Sequence, residues 1–256
     1  MDWQLAYESL PALFEGLLIT FILVVLSLAI GGVLAVPLAL MRVSRNSFLW
    51  MPVYGYVYLM RGTPLLVQLY LIYYGVSEIP GIQQSFLWPF FREAWYCVIL
   101  CFSLNTAAYQ AEIFRGAIQA VPHGEIEAAR AVGMSRVLQY RRIILPRAFR
   151  IALPAYTNEV ILMLQASALA SLVTIRDLMG SAGAIVSLTY DPWSIYIPTA
   201  IIYICVTYVL VWGFRRLEFI LSGHLRDRPS FRAVEATQLR TEPLSDAETR
   251  VQLGLR

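Results

Sequence analysis

One carboxylate, Glu159, interrupts an otherwise uncharged run of 25 residues from Ile151 to Ile175. At the helical rise per residue it stands roughly 12 Å inside that run. A charge so deep in apolar sequence is costly and as a rule faces a pathway or a partner. A carboxylate there suits a cation, and a guanidinium would bind it through two parallel N–H bonds. Met163 and Ser167 follow Glu159 at i+4 and i+8, and Gln165 lies seven after Asn158, which predicts one mildly polar helix face. Asn105, Tyr109 and Glu112 recur at i, i+4 and i+7 and predict a second such face. The competing use of Glu159 is internal: a hydrogen bond between helices, or a pair with Arg61.

Other chemistries find no support. All 20 basic residues are Arg. Without Lys there is neither a P-loop lysine nor a Schiff base, so the chain is not itself a Walker-type ATPase. His123 and His224 lie in charged segments without Cys or acidic clusters, and no metal site is expected. No His falls within an apolar run to activate Ser103, Thr106, Ser167 or Ser171, which read as helix-packing groups. Cys97, Cys101 and Cys205 sit in apolar runs without disulfide or metal spacing and read as small hydrophobes. No catalytic site is expected.

The elements that must carry these residues are membrane helices. The chain is 58% hydrophobic and 14% charged, where a soluble domain carries about 25% charge. Uncharged runs cover Gly16 to Met41 (26 residues), Ala94 to Ala111 (18) and Pro192 to Phe214 (23). The first makes a helix of about 39 Å, enough to cross a bilayer with tilt. Between residues 46 and 77, Arg61-Gly62-Thr63-Pro64 breaks an apolar stretch. Pro64 fits a first helical turn with Thr63 as its cap, which predicts a span from Pro64 to Ser77 preceded by a short helix at the membrane surface. Five spans result. With the N-terminus outside, 18 of the 20 arginines fall inside, leaving Arg92 and Arg176, and the C-terminus is cytoplasmic by the positive-inside rule. The net charge of +3 is too small to point to nucleic acid.

One interior loop, residues 112–150, is long for a connection without a purpose. Glu125 to Val132 is rich in good helix formers, and Gly133 is a natural stop. A second helical stretch, Arg136 to Ile144, is expected to end at Pro146. Ala128, Ala131 and Val132 can form a small apolar face, with Glu127, Arg130 and Arg136 polar. Such a helix can dock in a groove on a partner or lie on anionic lipid.

Glu127-Ala128-Ala129, then Gly133, then Ile143, Leu145 and Pro146 match at every specified position the cytoplasmic loop motif of bacterial ATP-binding cassette (ABC) importer permeases. Arg61 to Gln68, Ala107 to Gly116 and Ala120-Val121-Pro122 are similar to the polar amino-acid subgroup. Asn158 to Leu164 resembles the permeases of histidine/lysine/arginine/ornithine and opine importers. The resemblance covers roughly residues 10–222.

It implies an all-α membrane protein of about five spans in the type I importer (MetI-like) fold, residues 1–222, with a polar cytoplasmic tail, 223–256, read as disordered. Glu127, Ala128, Ala129, Arg130 and Gly133 would form the coupling helix seated in a cleft of the ATPase. Implied partners are a second permease subunit, two ATP-binding cassette subunits that bind ATP and Mg, and a periplasmic solute-binding protein. The implied location is the bacterial inner membrane. The implied substrate is a polar, basic amino acid or an opine, with Glu159, Asn158, Asn105, Tyr109, Gln165 and Ser167 as pathway residues and no cofactor on this chain. The alternative is an ion-coupled secondary transporter or channel using Glu159 as its ion site; the absence of an internal repeat weakens it.

Overall fold

The computed structural model describes residues 1–221, so the expected tail, 223–256, lies outside the described residues. By contacts the chain divides into two units, Met1–Arg216 and Leu217–Arg256. All regular structure among the described residues is helical.

Helix α1, Trp3–Val43, begins well before the uncharged run because Asp2 caps it, its carboxylate accepting from the Gln4 and Leu5 N–H groups at 2.9 and 3.2 Å. Helix α2 is Ser47–Gly62, capped by Asn46 onto Phe48 N at 3.0 Å. Helix α3, Leu65–Tyr70, continues through a π-turn at Leu71–Gly75 and a 3-10 turn at Val76–Glu78. The short α4, Trp88–Phe91, leads into α5, Ala94–Gln119. The loop carries α6, His123–Ala131, and α7, Arg136–Gln139. Helix α8, Leu145–Ala166, passes into a 3-10 stretch at Ser167–Val173; α9 is Leu178–Thr189 and α10 is Pro192–Leu221. Among the described residues, three single helices, α1, α5 and α10, are long and apolar enough to cross a membrane. A fourth crossing results if the run Arg136–Val173 and α9, bent by 46°, count as one broken span.

The core gathers Leu23, Val24 and Leu28 of α1, Val98, Cys101 and Phe102 of α5, Val160, Met163 and Leu164 of α8, and Leu69 of α3. Close approach of α1 to α5 depends on Gly31. A Cβ at that position would stand 2.4 Å from Thr106 Cγ2 and 3.2 Å from Ala107 N and Ser103 O. Gly31→Ala should therefore overpack the crossing by about 1–3 kcal/mol, read as a lower melting temperature of the detergent-solubilised protein; an unchanged melt would show that the contact yields freely.

Helix α2 packs by one side on the other helices: Val53 and Val57 are buried against Ala108, with Leu38 and Met41 packed beside them. Two local expectations are corrected. Thr63 does not cap α3. Its hydroxyl donates back to Leu59 O at 2.8 Å and accepts from Gln68 Nε2 at 2.7 Å, while Pro64 holds the cap position without a side-chain bond. Pro146 ends nothing. A π-turn at Tyr140–Ile144 joins α7 to α8, with Leu145 N bonded to Tyr140 O, and this wider turn carries the helix past the bond that Pro146 cannot donate.

Outside the spans, Asp191 ties down the start of α10. It accepts from Ser194 N at 3.2 Å and from the Ser194 hydroxyl, whose oxygen accepts from Asp2 N at 2.7 Å. These donors favour the ionised form and hold the Asp191 carboxyl below its usual range.

Candidate functional site

Two regions stand out, one on the loop and one within the helices. On the loop, α6 stops where Gly133 takes φ +76°, with Gly133 N bonded to Arg130 O at 2.9 Å and Met134 N to Ala129 O at 3.1 Å. This left-handed exit is available to glycine at little cost. One side of the helix is fastened: Ala129 is buried, Ile126 packs on the cluster of Ile118, Val121, Ile144 and Ala148, and Glu125 pairs with Arg147 at 3.4 Å. The other side is bare. Glu127, Ala128, Arg130, Ala131 and Gly133 are exposed, and Val132 and Val137 are 76% and 78% exposed. A rigidly held helix showing small apolar groups between charges can enter a protein cleft.

Within the helices, Glu159 is 6% exposed and accepts from the Thr106 hydroxyl at 2.7 Å. Thr106 in turn accepts from Gln110 Nε2 at 3.1 Å, and Gln110 donates to Leu28 O at 3.3 Å. This chain of bonds ties α8 through α5 to α1. The expected single polar face on α8 resolves into two. Glu159, Met163 and Ser167 point inward, Ser167 donating to Leu164 O at 2.7 Å, whereas Asn158, Leu162 and Gln165 are exposed. Adjacent helical residues diverge by about 100°, so Asn158 and Glu159 cannot share a face. Gln165 borders a groove between α8 and α10 with Tyr203, Thr207 and Tyr208.

The break between α2 and α3 joins this region, which the sequence did not foretell. Asn105 Nδ2 donates to Met60 O at 3.1 Å and to Gln68 Oε1 at 3.0 Å. Gln68 Nε2 donates to Met60 O, Thr63 O and Thr63 Oγ1 at 2.7 to 3.1 Å. Two buried amides thus satisfy the carbonyls that the break frees. Asn105 is the twelfth residue of the 26-residue α5, so the break lies beside the middle of that helix. Arg61 lies there too, its guanidinium 5.0 Å from the Tyr109 ring centroid. It also acts electrostatically on Glu159. Arg61, Gly62, Tyr54, Tyr58, Arg42 and Glu112 line a groove of about 300 Å³. Glu112 is taken up by Arg42 at 3.0 Å and Arg115 at 2.8 Å. The readable signal for Arg61 and Gln68 was a charge and an amide flanking a proline break inside apolar sequence.

Residues 28–220 match the family model described as binding-protein-dependent transport system inner membrane component. The nopaline transport system permease protein of Agrobacterium fabrum is 48% identical over 93% of this chain and 99% of its own. The histidine/lysine/arginine/ornithine transport system permease protein of Escherichia coli is 50% identical over 80% of this chain and 87% of its own. Among solved structures, a crystal structure of an amino acid ABC transporter with histidines matches with a TM-score of 0.77, at 34% identity, over 85% of this chain and 98% of that one.

Proposed function

The chain belongs to the family of binding-protein-dependent transport system inner membrane components, and on that premise we propose that it carries polar amino acids with a basic group, or opines, across a bacterial inner membrane. It is a permease subunit working with other transporter subunits. The partners in this reading are a second permease, two ATPase subunits that hold ATP and Mg, and a solute-binding protein outside.

The observation that carries the substrate class is Glu159, a buried carboxylate with no counter-ion in contact among the described residues, bonded only to a hydroxyl. Charged and unpaired, it would cost several kcal/mol, and a passing cation removes that cost. Relatives named for histidine, lysine, arginine and ornithine, and for nopaline, support the reading, since those solutes carry basic nitrogens. Asn158 and Gln165, exposed on a membrane helix, belong to the pathway or to the seam with the second permease. Tyr109 lines the same region through Arg61. Asn105 and Ser167 act through the helix break and the α8 end that they hold.

For topology, α2 and α3 form a fifth crossing, broken at Thr63-Pro64, with the N-terminus outside and the C-terminus inside. The exposed face of α6, Glu127 to Gly133, receives the motion of the ATPase. The complex reconstituted in proteoliposomes with its ATPase and solute-binding protein should take up arginine or an opine only when ATP is supplied to the ATPase side. Uptake that persists without ATP and follows a pH gradient would overturn this reading in favour of an ion-coupled carrier at Glu159.

A further inference from the structure

Arg61 poses a question that Glu159 does not answer. Beside the middle of α5, a guanidinium lines the groove along α2 with no carboxylate in contact among the described residues, resting only on the Tyr109 ring. The nearby carboxylate of the groove, Glu112, is already shared between Arg42 and Arg115 at 3.0 and 2.8 Å. Counting Arg42, Arg115 and Arg61 against Glu112 and Glu159, on which Arg61 acts, leaves one positive charge in excess. Charged groups within membrane helices as a rule face a pathway or a partner, and an anion passing this groove would meet Arg61. The guanidinium lies over the Tyr109 ring, 5.0 Å from its centroid, and a guanidinium so placed can receive a carboxylate through two N–H bonds. The clamp of Asn105 and Gln68 on the break holds the backbone on either side of Arg61 in place.

We infer that Arg61 binds the carboxylate of the transported amino acid while its basic group is drawn towards Glu159. This assignment rests on the reading of Glu159 as the cation site, and it adds a second pole. The solute is then read as a zwitterion spanning the helix break, so a basic amine without a carboxylate is a poor ligand.

The test is calorimetric titration of the purified permease–ATPase complex, without solute-binding protein, using arginine, agmatine (which lacks the carboxylate) and citrulline (which lacks the side-chain charge). The wild type should bind arginine about tenfold or more tightly than agmatine, the loss expected for one charge-assisted pair. Arg61→Gln should bring the two within about twofold, and Arg61→Lys should keep part of the preference, both variants melting as the wild type does. Equal affinity of the wild type for arginine and agmatine would overturn the inference, as would an undiminished preference in Arg61→Gln, or no arginine binding at all. Glu159→Gln separates the two readings. It should abolish the preference for arginine over citrulline and spare that over agmatine. If it spares both, the cation site falls and the carboxylate site stands.

Discussion

Gly133→Asp should leave a complex that assembles and hydrolyses ATP yet imports at about a tenth of the normal rate or less. At φ +76° the residue sits in the left-handed region, and a Cβ there would meet nothing within 4 Å. The strain on the chain itself is thus conformational, about 1–2 kcal/mol, and Asp is among the residues that bear it best. The larger effect lies outside the chain. Gly133 ends the bare face formed by Ala128, Ala131 and Val132, and a carboxylate pressed into a partner's cleft loses hydration worth several kcal/mol. Gly133→Asn adopts the same backbone without the charge and should retain more uptake. Paired assays of ATP hydrolysis and uptake in proteoliposomes decide it: normal import by Gly133→Asp would mean that this face docks on nothing.

Glu159→Gln should cut uptake of cationic solutes about tenfold or more, equivalent to roughly 1.5–3 kcal/mol, while the protein folds normally. The amide oxygen of Gln can accept from Thr106 as the carboxylate does, so the bond chain from α8 to Gln110 and Leu28 persists. Only the charge is lost. A neutral solute should be affected much less. Equal losses for cationic and neutral solutes in a well-assembled complex would assign Glu159 to packing, and Thr106→Val would then be expected to reproduce them.

The loop was legible because its signals are local. A helix-forming run, a glycine exit and a spaced motif need no distant partner to be read, and Gly133 terminates α6 as its type suggests. Glu159 was legible as an anomaly of composition, but its orientation was not. The spacing of Asn158 and Gln165 and that of Glu159, Met163 and Ser167 are both helical, and merging them overlooked the turn between neighbouring residues. The break at Thr63-Pro64 was legible from its proline, but what holds it was not. Half of its repair comes from Asn105, far along the chain and on another helix, and nothing near Thr63 announces that half. Pro146 misled because proline reads as a stop, whereas the π-turn before it lets the helix run past the bond it cannot donate.

The join at Tyr140–Ile144 has a mechanical consequence. From Tyr140 to Glu159 the backbone is helical without a gap, although Pro146 and Pro154 each leave out a bond along it. Over the length of this strut, about 28 Å, a tilt of about 10° at the foot, carried through unbent, would swing the far end sideways by about 5 Å. That is more than the length of a hydrogen bond, so on the function proposed above a small rotation imposed from below would take the carboxylate into or out of reach of a solute. The gearing is set by the number of residues in the strut, and one inserted or deleted residue would change the direction in which Glu159 points far more than the distance it travels.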